Sequence, residues 1–426
     1  MRRPRAKTFR LAAMATASAA VAACGLSSAA PTNALLAGPS GTPITIGVSE
    51  PLSGPQQAQG FAPDGQASKI GYQLWASDVN SHGGLLGRPV KLVFLNDKGD
   101  IALTAANYRT LITQKKVDLT LAPFSSLLTA QAAGPVTKHY GYVMPAGSAA
   151  ANSVYQLKDH FLFSTNVPVK NQMLPFAQWL VSRPGHPVTA AYPMVNDPFA
   201  DPPVQTVQAF FQNHGVRTVY SRMYPPNVTT RALTADARAV AQKKPDIVVL
   251  GSIAVSTVQA FVREFISANW TPKMFIASSG PDQGQAFLNA VGTGNANGIM
   301  VPNAWWGSFP NALSHLMVQD YIARYGGTAD GINADVAEAY SAGQVLAAGV
   351  TGAHSLNQQK IASWLHAHSV QTVVGQVAFT ADGENRLAVK SAAVFQWQPG
   401  PGGTGANFIQ VLPSGIGTKA PISWAG

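Results

Sequence analysis

Ser125 and Ser126 lie in the stretch APFSSLLTA, where a β-type run, VDLTLA (117–122), gives way to a helical pattern. Hydroxyls and free backbone N–H groups at such a junction converge on one spot, which suits an anion such as a carboxylate. The same residue type also caps helices, so a purely structural role stands beside the binding one. Ser148, in PAGSAA, again follows a β-type run, and Gly147 beside it permits close backbone approach. Trp305 and Trp306, in PNAWWG, either pack two lobes together or offer a ring for a ligand to stack on.

Catalytic and metal chemistry lack their residue patterns. His366 and His368 are two apart on a helical stretch, a spacing that does not share a face. One cysteine in 426 residues leaves no zinc pattern, and there is no His-Glu-x-x-His. ASSG (277–280) is not a Gly-x-Ser-x-Gly elbow. No enzyme, metal or cofactor is expected; a hydrolase would need a triad assembled only in space.

The single cysteine, Cys24, has its own context. Arg2, Arg3, Arg5, Lys7 and Arg10 form a basic head, and residues 11–23 are apolar or small throughout. Such a head and run make a secretory signal, too short to span a bilayer as a helix. Cys24 closes VAAC (21–24) at the end of that run, with no second cysteine to pair with. The motif resembles the lipobox of bacterial lipoproteins, which implies a signal over 1–23, lipidation of Cys24 and a flexible tether over 24–43. The protein is therefore expected outside the cytoplasm, on the outer face of the membrane or in the periplasm, touching the membrane through the anchor alone.

The chain is formally +10, and the basic head supplies five of those charges, leaving +5 beyond it. Charged residues are only 11% of the chain, and no basic stripe of the kind nucleic acid needs remains. A hydrophobic content of 46% indicates a packed globular body. Its length exceeds one ordinary core, so two lobes are expected.

Strand and helix patterns must position the candidate residues. ITIGVS, VKLVFLND and VDLTLA read as strands, alternating with helical GYQLWASDVN and TAANYRTLI. The alternation restarts after about residue 166 with PVTAAYP, VRTVYS, PDIVVLG and KMFIAS as strands. This predicts parallel sheets covered by helices on both faces. Residues 311–368 read as mostly helical. Asp382-Gly383 marks a hairpin turn, and PGPGGTGA (399–406) a loop between the last two strands.

ITIGVSEPLSGPQQAQG and DVNSHGGLLGRPVKLVFLNDKGD resemble the start of the branched-chain amino acid binding proteins of ABC transporters, type I periplasmic binding proteins. The likeness rests on Pro51–Gly54 and on Asn80, Gly83, Gly84 and Gly87, and it continues through APFSSLLTAQAA, MPAGSAA, GQVAFTADGE and FQWQPG. It implies an α/β fold of two doubly wound, Rossmann-like lobes joined by crossing strands, with lobe I at 44–166 and 303–375 and lobe II at 167–302 and 376–426. It implies a monomeric receptor that clamps a small molecule and hands it to an ABC permease; a ligand sensor of the same fold is the alternative. Ser126 matches the family serine that holds the ligand carboxylate, and Ser148 a second ligand hydroxyl. Gln59, Ser125, Gly147 and Trp305 complete the expected first-lobe set. The second lobe departs: Phe199 stands where the family has a tyrosine and Ser279 where it has the glutamate for the ammonium, with Asp282, three residues on, as a candidate substitute. A buried ammonium without a carboxylate is costly, so an amide or an aromatic or organic acid fits comparably with an amino acid.

Overall fold

Alternation of β-branched residues in β1 (Ile44–Glu50) sends Ile44, Ile46 and Val48 to a fully buried face. The computed structural model describes residues 38–54, 61–185, 188–388, 393–415 and 418–424. The signal, Cys24 and Gln59 lie outside the described residues. Gly38–Pro43, read as the end of the tether, runs along the next turn: Ser40 N–H donates to Gly87 O (3.0 Å) and Arg88 Nε–H to Thr42 O (2.8 Å).

The first lobe continues through α1 (Phe61–Ser81), β2 (Val90–Asn96), α2 (Ile101–Arg109), β3 (Leu119–Thr120), α3 (Ser126–Leu128), α4 (Gly134–Tyr140), β4 (Met144–Ala146), α5 (Asn152–Tyr155) and β5 (Leu162–Ser164). The strands β2-β1-β3 are parallel, and β4 pairs with β5, also parallel. The strand expected over 117–122 forms a ladder only at Leu119–Thr120. Its flanks bond singly, Leu121 N–H to Gly47 O and Ala122 N–H to Pro145 O, which ties the pair β4-β5 to the sheet. At the exit of α1, Asn80 clamps Val90 with both ends of its amide (3.0 and 2.7 Å).

The second lobe comprises α6 (Leu174–Val181), β6 (Thr189–Val195), α7 (Asp201–Asn213), β7 (Arg217–Tyr224), α8 (Thr230–Lys243), β8 (Ile247–Leu250), α9 (Val255–Ser267), β9 (Met274–Ala277), α10 (Gln285–Val291), α11 (Thr293–Ala296) and β10 (Ile299–Asn303). The chain then returns to the first lobe for α12 (Ala312–Tyr325), α13 (Ala334–Ala353), α14 (Gln358–Ala367), β11 (Val370–Thr372) and β12 (Gly375–Val377). It ends in the second with β13 (Ala393–Pro399) and β14 (Ala406–Leu412), giving a seven-stranded sheet β14-β13-β10-β9-β8-β6-β7. That sheet is not wholly parallel as expected. β13 runs antiparallel to β10, which it reaches only after the chain's return through the first lobe, and to β14, to which a glycine-rich loop rather than a crossover helix joins it.

Helix contacts set the site. Gly71 of α1 sits so close to α13 that a Cβ there would lie 2.1 Å from Val336 O. This approach brings the first turns of α1 and α13 side by side, and with them Asp64 and Asp335. Each lobe has its own core: Ile46, Trp75 and Leu346 belong to one, Val249, Ile276 and Met300 to the other. Phe61, Phe124 and Leu128 of the first lobe join second-lobe residues such as Phe261 and Phe395 in one cluster, so the lobes are in contact.

Candidate functional site

Between the lobes lies a small cavity of about 30 Å³. Phe124, Ser125, Ser126, Ser148, Asn166, Asp335 and Glu338 line it from the first lobe and its edge; Phe199, Ile253, Ser279 and Asp282 line it from the second. A larger groove, about 600 Å³, runs between Ala62–Pro63 and helices α8 and α9. Of its polar side chains, Thr230, Ser256 and Arg263 are exposed, Thr234, Gln259 and Glu264 half-buried, and Gln283 alone is buried. The smaller cavity has the buried, convergent polar groups that mark a ligand site.

Ser125 has φ 94°, a left-handed conformation rare for serine. Strain of this kind gathers where surrounding structure imposes it, often at ligand sites. Ser125 Oγ accepts the Leu128 N–H (3.3 Å), so the capping role is real. Ser126 is more committed than the sequence suggested. Its buried Oγ accepts from both Ala150 N–H (2.9 Å) and Ala151 N–H (3.1 Å), tying α3 to the chain after β4. Only its O–H remains to serve a ligand.

Glu50, buried at the end of β1, accepts the Phe124 N–H (2.9 Å) and the Ser68 hydroxyl (2.7 Å) and so fixes the Phe124 ring. Burial pushes its carboxyl well above the usual range. Asp197 does the same for Phe199, accepting its N–H at 2.8 Å, and burial raises Asp197 to about 7.

The second lobe's polar groups are paired. Ser279 Oγ–H and Gly280 N–H both donate to Asp282 Oδ1 (3.1 and 2.7 Å), and burial pushes Asp282 up to about 6. The first lobe answers with carboxyls the sequence reading passed over. Asp335 accepts from Ser148 Oγ–H (3.2 Å), and Glu338 Oε1 from Asn166 Nδ2–H (2.8 Å). Burial, then the nearby Asp282 charge, raises Asp335 to about 7. Burial, Asp335 and Asp282 raise Glu338 well above its ordinary value. An ammonium here would therefore meet Asp282, the candidate substitute for the missing glutamate, and also Asp335 and Glu338, which the sequence reading passed over.

Two expected residues have other duties. Trp305 is buried in the first lobe's core with its Nε1–H on Ser314 Oγ (2.8 Å), so it packs and does not reach this cavity. Gly147 is required by α13 rather than by a ligand, since a Cβ there would come within 2.5 Å of the Glu338 backbone. Asp335 and Glu338 carried little sequence signal, because acids in the first turns of a helix are what its dipole favours anyway. Phe124, Asn166 and Ile253 were missed because nothing local distinguishes them from core or loop residues.

Among the described residues no histidine lines the cavity, and the acceptor lone pairs of Ser126 are already used. Among the described residues no helix is long and apolar enough to cross a membrane.

The family described as periplasmic binding protein matches residues 43–404. Solved structures with this fold include the solute binding protein of an ABC transporter from R. palustris in complex with benzoate. It is 18% identical with a TM-score of 0.69, over 89% of this chain and 97% of that one. The branched-chain amino acid transporter substrate binding protein of Streptococcus pneumoniae, in complex with isoleucine, is 19% identical with a TM-score of 0.70, over 87% and 100%. A leucine binding protein from Thermotoga maritima is 16% identical with a TM-score of 0.70, over 86% and 97%. At such identities the likeness to these structures is one of fold.

Proposed function

This chain belongs to the periplasmic binding protein family, and on that footing we propose that it is the solute receptor of an ABC transporter. Held outside the cytoplasm by a lipid on Cys24, it takes one small molecule between its lobes and delivers it to the permease. The observation that carries this reading is the cavity itself, with hydroxyls, carboxyls and aromatic rings facing one another from two lobes. The Ser125 and Ser126 hydroxyls suit a carboxylate, carbonyl or hydroxyl of the ligand, and Phe124, Phe199 and Ile253 suit its apolar body. Residues on both walls imply that closure completes the site.

Calorimetry and small-angle scattering with a panel of amino acids, amides, amines and carboxylic acids test this. A true ligand at about a hundred times its Kd should stabilise the protein by about 2.7 kcal/mol and leave the radius of gyration at its smallest. Binding that causes no compaction and survives loss of the Ser126 hydroxyl would overturn it.

A further inference from the structure

Resting on the solute-receptor reading of this cavity, we infer that its ligand is a net organic cation, such as a basic amino acid or a diamine, whose charged end is held by Asp282, Asp335 and Glu338. These three carboxyls line one cavity from two lobes, and among the described residues no lysine, arginine or histidine lines it with them. The ion pairs of the described residues lie elsewhere, at Asp78, Asp236, Asp246 and Glu264. Their hydrogen-bond donors are neutral: Ser279 for Asp282, Ser148 for Asp335 and Asn166 for Glu338.

Asp64 stands behind them and is wholly buried. Its Oδ1 accepts from Asn333 Nδ2–H (3.2 Å), and its carboxyl pairs with that of Asp335, which requires a shared proton. The charges acting on Asp64 are those of Asp335 and Asp282, both repulsive, and Glu50 adds a further acid facing Asp335. Four buried carboxyls this close together can ionise together only at a high cost, which a neutral site would not carry. Asp282 of the second lobe already faces this group: its backbone O accepts the Ala334 N–H (3.2 Å), and its charge acts on Asp335. A bound cation relieves the repulsion in the closed state, and so favours that state.

A bound cation draws these raised carboxyls toward their ionised form, whereas a carboxylate ligand would hold them protonated. Two amines, or a guanidinium able to reach two carboxyls, can engage more than one of them. Phe124 and Phe199 offer ring faces to the same charge or cover to an alkyl chain. The donor set is not that of a metal: among the described residues no three acidic, histidine or cysteine side chains converge as a metal ion needs.

The test is calorimetry on the intact protein with L-arginine, L-lysine and 1,4-diaminobutane against L-leucine, acetamide and benzoate, at pH 7.5 and 5.0. At least one cation should bind at least about tenfold more tightly than every neutral or anionic probe, and lose about tenfold or more at pH 5.0. Glu338→Gln and Asp335→Asn should each weaken it by a similar factor while the ligand-free melting temperature holds or rises, which a merely structural role would not produce. Tighter binding of leucine, acetamide or benzoate than of all three cations would overturn the inference and leave the receptor reading standing. Binding by none of the six would bring down both.

Discussion

Replacing Ser126 by alanine tests whether this serine is first a ligand group or first a strut. Its Oγ accepts two buried N–H groups, from Ala150 at 2.9 Å and Ala151 at 3.1 Å, and the residue is 1% exposed. Alanine removes the acceptor and leaves both donors in place. A buried donor left without a partner costs about 1–3 kcal/mol, so the pair should cost roughly 2–6 kcal/mol. That is a large share of the ~5–15 kcal/mol that a folded domain typically commands. Ser148→Ala is the matched control, because Ser148 Oγ–H donates one hydrogen bond, to Asp335 at 3.2 Å. Losing it should cost about 1 kcal/mol or less. Urea unfolding of the ligand-free protein reads both, through a lowered midpoint at unchanged slope. If Ser126→Ala stays within about 0.5 kcal/mol of the parent, or falls no lower than Ser148→Ala, the two N–H bonds do not hold the loop as described. The residue would then be acting through a ligand alone.

Stability of the ligand-free protein should fall as pH rises from about 4 to about 7. Asp197 and Asp335 are raised to about 7 and Asp282 to about 6. Over that window the unfolded chain releases protons that the native state keeps, so the slope of stability against pH is negative. The urea midpoint should be higher at pH 5 than at pH 8, and the reverse order would contradict the burial of these acids. Cys24→Ala should release the protein from the membrane fraction or block its maturation, as fractionation and intact mass would show. Normal processing with continued membrane attachment would remove the lipid anchor from the proposal.

The order of elements was legible because it follows from local chemistry. β-branched runs, periodic apolar helices and the Asn80 turn are written in consecutive residues, and they gave two α/β lobes with most strands in place. Ser125 and Ser126 were legible as a strand-to-helix junction facing a cleft, and Ser279 with Asp282 as a polar loop after a strand. The antiparallel edge was not, since strand direction depends on which neighbour β13 finds. Nor was the division of labour among the candidates. Whether Ser126 accepts from Ala150 and Ala151, or Trp305 from the cavity is turned into the core, depends on partners far away in the chain or on lobe packing. The acid cluster is the clearest case. Asp64, Asp282, Asp335 and Glu338 span some 270 positions of sequence, and each alone reads as an ordinary helix-start or loop acid. The close contact of α1 with α13 at Gly71, and the meeting of the two lobes, place them together. Charge repulsion acts through space rather than along the chain, so its consequence for the ligand exists only in the folded protein.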